Sequence, residues 1–293
     1  MRIAIASGKG GTGKTTVAVN LALVASKEGR SVQLLDCDVE EPNSHLFLHP
    51  ELETSRRVFL PVPTVDKSLC TACGECGKIC AYSAIVVVKD KVLTFPELCH
   101  GCGGCKRVCP EEAIRETGRE MGVVECGRAD GIAFAHGKLR VSEVMPVPLI
   151  RAVKGSADDV DLHLFDAPPG TSCPVIETIR GSSYVLLVTE PTPFGLWDLG
   201  LALDMAKKLG VPHGIVVNRH MDGNESARRL ASERGVEILA EIPDDRRVAE
   251  AYSRGEAAVD AVPGTRDVFT RLLQRLLELG RAGEQTEKGA AKP

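Results

Sequence analysis

The chain has 293 residues, 43% hydrophobic and 26% charged, the composition of a globular protein with room for one large α/β domain and something small beside it. A formal charge of −4 argues against a nucleic-acid-binding surface as the main function. No apolar run approaches the ~20 residues of a membrane span, and Met1 leads straight into the first apolar run, so no signal peptide is visible and a cytoplasmic protein is expected.

Arg2-Ile3-Ala4-Ile5-Ala6 reads as a short buried strand, and Val17 to Ser26 as a helix with Val17, Leu21 and Val24 on one side. Between them lies Gly8-Lys9-Gly10-Gly11-Thr12-Gly13-Lys14-Thr15-Thr16. Strand, glycine loop and helix form the context of a phosphate-binding loop, and the spacing matches G-x-x-x-x-G-K-[ST]. Backbone N–H groups can turn toward one anion there, and the helix adds its positive end. Lys14 supplies a full charge to the β- and γ-phosphates, and the Thr15 hydroxyl is placed to ligate Mg²⁺.

Ser31 to Leu35 reads as a second buried strand, ending in Asp36-Cys37-Asp38. Carboxylates at the end of a parallel strand beside a phosphate loop are where Mg²⁺ and an attacking water are managed, although aspartates are also common in turns. The α/β pattern then stops at Leu60-Pro61-Val62-Pro63, an extended, proline-stiffened boundary.

Eight of the eleven cysteines follow in two runs: Cys70, Cys73, Cys76 and Cys80, then Cys99, Cys102, Cys105 and Cys109, the last followed by Pro110. Each run is C-x2-C-x2-C-x3-C, the spacing of bacterial two-cluster ferredoxins, in which the fourth cysteine crosses to the other cluster. On that pattern Cys70, Cys73, Cys76 and Cys109 hold one [4Fe–4S] cluster. Cys99, Cys102, Cys105 and Cys80 hold the second. Zinc is the competing reading of paired C-x2-C units. Ala84-Ile85 and Ala113-Ile114 recur after each run, which marks an internal duplication; Ala81 stands where ferredoxins usually carry proline.

The larger domain resumes near Arg115. Gly122 to Cys126 and Ile132 to Val141 read as a hairpin, and Val147 to Lys154 as a helix. Leu162 to Asp166 reads as a central strand ending in an acid, followed by Ala167-Pro168-Pro169-Gly170-Thr171. Tyr184 to Thr189 and Gly214 to Arg219 are further strands, with a helix from Gly195 to Leu209 between them. Val236 to Ile242 is the last strand, leading into Pro243-Asp244-Asp245. A helix from about Arg266 to Leu279 collects Phe269, Leu272, Leu273, Leu276 and Leu277 on one face, and the stretch from Ala282 reads as a disordered polar tail. Alternating strands and helices of these lengths predict a doubly wound, mostly parallel sheet, residues 1–60 and 116–293, with a ferredoxin-like α+β module inserted at residues 61–115.

The second lysine inside the loop, Lys9, together with the Asp-x-Asp, Asp-Ala-Pro-Pro-Gly and Val-Asn-Arg segments in that order, resembles the deviant-Walker ATPases of the MinD/ParA/Mrp group. The resemblance implies ATP binding and slow Mg²⁺-dependent hydrolysis. It implies that Lys9 reaches across a homodimer formed in the ATP state to the partner's nucleotide. Asp36 and Asp166 would lie at Mg²⁺, Asp38 would position or activate water, and Asn218 and Arg219 would meet the base under the loop at Pro243 and Asp244. In the nitrogenase iron protein a cysteine at the offset of Cys173 from Asp166 ligates a cluster shared by two subunits; a small residue at a helix start is the other reading of Cys173. Membrane-positioning relatives end in an amphipathic membrane helix, but a closing helix packed on the sheet suits the apolar face here better, since the polar tail that follows carries no apolar anchors.

Three functions are compatible with these residues. One is assembly or delivery of an iron–sulfur or metal cofactor to an acceptor protein. Another is ATP-gated electron transfer to a redox partner. The third, a spatial-positioning switch, is disfavoured by eight ligand cysteines without a membrane anchor.

Overall fold

The computed structural model describes the backbone of residues 1–290 and the side-chain surroundings of residues 1–280. The strands are β1 (Arg2–Ala6), β2 (Val32–Asp36), β3 (Glu51–Val65), β4 (Ile85–Val88), β5 (Lys91–Thr94), β6 (Ile114–Ala129), β7 (Ile132–Leu139), β8 (Leu162–Asp166), β9 (Tyr184–Thr189), β10 (His213–His220) and β11 (Ile238–Pro243). Nine of them form one sheet in the order β11-β10-β9-β1-β8-β2-β7-β6-β3, and β4 pairs with β5 alone. Neighbours from β11 through β7 run parallel; β6 and β3 are added antiparallel.

The central parallel strands are buried along most of their length because both faces are covered, as a doubly wound sheet requires. On one face α1 (Lys14–Lys27) packs with the last helix; on the other lie the helices between β7 and β11. The short α2 (His45–Leu48), α3 (Glu75–Ile79) and α4 (Gly104–Arg107) belong to the insertions before β7. The remaining helices are α5 (Val147–Lys154), α6 (Cys173–Ile179), α7 (Pro193–Leu209), α8 (Ser226–Arg234), α9 (Arg246–Ser253), α10 (Ala258–Ala261) and α11 (Thr265–Ala290).

Phe269, Leu272, Leu273 and Leu276 of α11 are buried in the core cluster that includes α1, so this apolar face is used inside the protein. No helix among the described residues is long and apolar enough to cross a membrane. The polar tail expected from Ala282 instead continues α11 to Ala290; residues 291–293 lie outside the described residues.

The proline-rich stretch is extended, as read, and is part of a strand, β3. β3 and β6 pair in unbroken antiparallel register from Glu51↔Arg128 out to Val65↔Ile114, apart from two local shifts. Pro61 and Pro63 are tolerated because β3 is the sheet edge, where a missing N–H leaves no ladder bond unmade. The hairpin from β6 to β7 turns on Asp130 and Gly131, both at positive φ (48° and 78°), the backbone of a type I′ turn. The two cysteine runs therefore sit at the far end of a two-stranded ribbon whose base is part of the main sheet.

Candidate functional site

β1 stands between β8 and β9, and its C-terminal end opens into the glycine loop. In open parallel sheets ligands bind outside such carboxyl ends. Gly13 caps α1 in the left-handed region (φ 94°), and a Cβ there would come within 2.3 Å of the Asn218 side-chain nitrogen. That nitrogen donates to the Thr12 carbonyl at 2.8 Å, so the end of β10 braces the loop.

The register of β2 and β8 places Asp36 directly opposite Asp166, both fully buried. The Thr15 hydroxyl donates to Asp166 Oδ2 at 2.6 Å, while Asp166 Oδ1 is buried without a partner. Burial pushes the Asp166 carboxyl up to about 8; Asp36 adds to the rise, and Lys14 and Thr15 oppose it. Burial also raises Asp36, against hydrogen bonds from Ser44 and Asp38. Burial and then Asp36 push Asp38 up to about 7, against the pull of Lys14. Two buried carboxylates with an unpartnered oxygen form an acidic pair that a divalent cation would relieve.

Beside Asp166, Asp36 also has a structural role. Its Oδ1 accepts from Asp38 N–H at 3.1 Å, and its Oδ2 from the N–H groups of Asn43 and Ser44, each at 3.0 Å. It shapes the loop after β2 and so places Asp38.

A cleft of about 480 Å³ joins Gly10, Gly11, Gly13, Lys14, Thr15, Thr16, Asp38, Asn218, Arg219, Pro243 and Asp244, all singled out in the sequence. It also takes in Glu41, Asn43, Pro169, Asp245, Arg246 and Tyr252. Arg246 and Tyr252 lie on α9, and the sequence marks them only by their place just after the Pro243-Asp244 loop. Gly8, Lys9 and Thr12 do not line the cleft. Gly8 packs so closely on α7 that a Cβ would sit 2.1 Å from the Asp198 carbonyl oxygen. Thr12 is buried. Lys9 points to Glu190 at 3.7 Å, and Glu190 also holds Arg219 at 2.6 Å.

The cysteine runs form a second centre. Cys70, Cys73, Cys76 and Cys109 line one hollow with Val65, Ala72 and Ile114. Cys80, Cys99, Cys102 and Cys105 line another with Pro61, Pro63 and Glu116. The fourth cysteine of each run thus lies with the other run's first three. The duplication extends to the backbone. Left-handed residues recur at matched places, Ala72 with Gly101, Gly74 with Gly103, and Ser83 with Glu112. The Ala84 N–H points to Cys80 Sγ and the Ala113 N–H to Cys109 Sγ, each at 3.3 Å. Asp66 N–H bonds to the Ala113 carbonyl, and Phe95 N–H to the Ala84 carbonyl, each at 2.8 Å.

A single zinc ion would draw its thiolates to about 2.3 Å from one point. A [4Fe–4S] cluster instead spreads its four thiolates over the corners of a cubane. Each quartet lines its own hollow, four cysteines to each. Burial raises the Cys76 and Cys105 thiols. At Cys80 burial is outweighed by backbone N–H groups of Tyr82, Ile85, Ala84 and Ser83, and the thiol is lowered. Of the other three cysteines, Cys37 is buried and its thiol raised by burial, Cys126 is half-buried, and Cys173 is exposed at the start of α6.

Residues 3–259 match the family model described as the CobQ/CobB/MinD/ParA nucleotide binding domain. An uncharacterized protein of Methanocaldococcus jannaschii is 30% identical, over 88% of this chain and 91% of its own. The iron-sulfur cluster carrier protein of Pyrococcus horikoshii is 27% identical, over 97% of this chain and 90% of its own. Among solved structures, the septum site-determining protein MinD of Pyrococcus horikoshii, complexed with Mg-ADP, superposes with a TM-score of 0.61. It covers 96% of this chain and 98% of its own at 20% identity, a likeness of fold.

Proposed function

The chain belongs to the CobQ/CobB/MinD/ParA nucleotide-binding family, and on that premise we propose that it is an ATP-hydrolysing iron–sulfur protein, a nucleotide-switched dimer that assembles or delivers an iron–sulfur or metal cofactor. The observation that carries this reading is the crossed pair of cysteine quartets, mounted on a ribbon continuous with the sheet that holds the phosphate loop. The carrier name of the Pyrococcus horikoshii relative points the same way.

Loop amides and Lys14 bind the β- and γ-phosphates and stabilise the charge that develops on transfer. Thr15 and Asp166 are the side chains to hold Mg²⁺, which neutralises phosphate charge when bound; Asp36 acts through the loop it organises. Asp38, in the cleft, positions the attacking water, and its raised carboxyl suits a group that accepts a proton near neutral pH. The Asn218 amide is committed to the loop, which leaves its carbonyl oxygen for the base. Lys9 lies outside its own cleft and is held by Glu190, placed to leave that partner for a second protomer's nucleotide. The quartets hold two [4Fe–4S] clusters, which supply one-electron redox chemistry or a transferable group.

The second reading, ATP-gated electron transfer, is favoured by the end-to-end placement of the two hollows along one ribbon. Transfer of ⁵⁵Fe from anaerobically loaded protein to an apo-ferredoxin, with and without Mg-ATP, separates them. ATP-dependent movement of label supports delivery. Label retained while the reduced protein passes electrons to an acceptor supports the second reading.

A further inference from the structure

The two cluster hollows are not equivalent with respect to the main sheet. The hollow of Cys80, Cys99, Cys102 and Cys105 touches Pro61, Pro63 and Glu116, nearer the main sheet; that of Cys70, Cys73, Cys76 and Cys109 touches Val65 and Ile114 at the ribbon's tip. At the inner loop, a Cβ on Gly101 would lie 2.7 Å from Leu60 Cδ1, so this loop is seated directly on β3.

One cation is buried beside that loop. Arg119 of β6 has a side chain only 9% exposed and donates from Nη2 to the Cys99 carbonyl at 3.5 Å. Its Nη1 meets Glu143 Oε2 at 2.5 Å, and the Glu143 side chain is fully buried. The other Glu143 oxygen accepts from the N–H groups of Val144 and Met145, at 3.0 and 3.1 Å. That segment leads into α5, whose Lys154 donates to the carbonyls of Glu177, Thr178 and Arg180 at the end of α6. α6 in turn follows Asp166 and the Pro-Pro-Gly turn. In the duplicated pattern Cys70 matches Cys99, yet no side-chain hydrogen bond reaches the Cys70 carbonyl among the described residues.

We propose that Arg119 is a positioning residue for the inner cluster, and that its pair with Glu143 seats that cluster on the nucleotide-binding body and holds its reduction potential up. The inference rests on the reading of the quartets as [4Fe–4S] sites. Reduction adds one negative charge to a cluster, and nearby charge and hydrogen bonding set its potential. The guanidinium lies between the cluster loop and the carboxylate, so the nearer, positive end of the pair faces the added electron. Burial keeps water from screening either end.

The test uses full-length protein prepared anaerobically, redox-titrated with EPR detection of both reduced clusters. Glu143→Gln leaves the guanidinium uncompensated and should shift one couple to higher potential. Arg119→Gln leaves the carboxylate and should shift the same couple lower. Arg119→Lys, which keeps the charge, should restore most of that shift, and the other couple should stay in place throughout. Shifts of the same sign in Glu143→Gln and Arg119→Gln, or equal shifts of both couples, would overturn the proposal, since loosened packing acts that way. If Arg119→Gln fails to load iron, the upward shift in Glu143→Gln still decides. Wild-type protein that carries zinc without acid-labile sulfide would instead remove the cluster reading itself, a result visible before any titration.

Discussion

Replacing Asp166 with asparagine should make the ion-free protein more stable while removing Mg²⁺-dependent nucleotide binding. Asp166 is fully buried opposite Asp36, and its carboxyl is pushed up to about 8 from 3.8. An acid whose pKa is raised by folding opposes folding above its unfolded pKa. The penalty grows as pH rises from about 4 to about 8 and then levels off. At pH 7 the upper bound is about 4 kcal/mol, from ~1.4 kcal/mol per pKa unit over the interval between 3.8 and 7. Two like charges on neighbouring strands, ~5 Å apart at an effective dielectric of ~20, give a repulsion of about 3 kcal/mol. Asparagine keeps the shape and removes the charge, though it places an amide where Oδ1 has no partner. A net gain of about 2 kcal/mol, or roughly 4–8 °C in melting temperature, is therefore expected. The assay is thermal unfolding in EDTA, without nucleotide, from pH 5.5 to 8.5. The wild type should lose stability as pH rises, and Asp166→Asn should flatten that slope. Mg-ATP at 100 times its Kd should add about 2.7 kcal/mol to the wild type and little to the variant. A variant less stable than wild type at every pH, with the same slope, would refute the reasoning.

The Lys9–Glu190 pair is long and partly exposed, worth no more than ~1 kcal/mol. Lys9→Ala should therefore stay folded and bind nucleotide, but lose ATP-dependent dimerisation by light scattering and lose hydrolysis; normal turnover would remove the deviant-Walker role. Gly13→Ala combines left-handed backbone strain of ~1–2 kcal/mol with loss of the Asn218–Thr12 bond, ~1 kcal/mol, so calorimetry should show nucleotide affinity reduced roughly 30- to 150-fold. Cys80→Ser should damage the cluster held by Cys99, Cys102 and Cys105, and iron with acid-labile sulfide should fall from about eight of each per chain. Cys173 is exposed at the start of α6, so Cys173→Ser should leave hydrolysis intact; cluster transfer that persists unchanged would make it a surface residue only.

Local signals sufficed wherever a segment is apolar on both faces or carries a turn of fixed chemistry. β8 and β9 fall on the residues where hydrophobic runs and breakers place them, because a strand buried on both faces reads as a near-continuous apolar run, and α5 falls where Pro146 and Gly155 bound it. The glycine loop and the cysteine spacings are equally local: one backbone shape holds a phosphate, and one spacing wraps a cluster corner. The long ribbon was not legible in this way. From Glu51 to Arg57 β3 is exposed and polar, so neither periodicity marks it, and only pairing with β6 makes it a strand. Its prolines read as a boundary until the sheet order put them on an edge.

Which side chains meet belongs to the tertiary structure for a related reason. Asp36 and Asp166 are 130 positions apart and become neighbours only through the register of β2 and β8. The sequence marks both as acids beside a phosphate loop, but not that three backbone N–H groups occupy Asp36 while one oxygen of Asp166 has none. Lys9 with Glu190, and Arg119 with Glu143 and the Cys99 carbonyl, meet across long sequence separations, and nothing local marks Glu190, Arg119 or Glu143 as their partners. Residue type and spacing determined what chemistry this chain carries, since phosphate loops and cluster ligands need particular atoms at short range. The strand order decided where that chemistry lies and which charges accompany it, because burial and long-range pairing exist only once the sheet has formed.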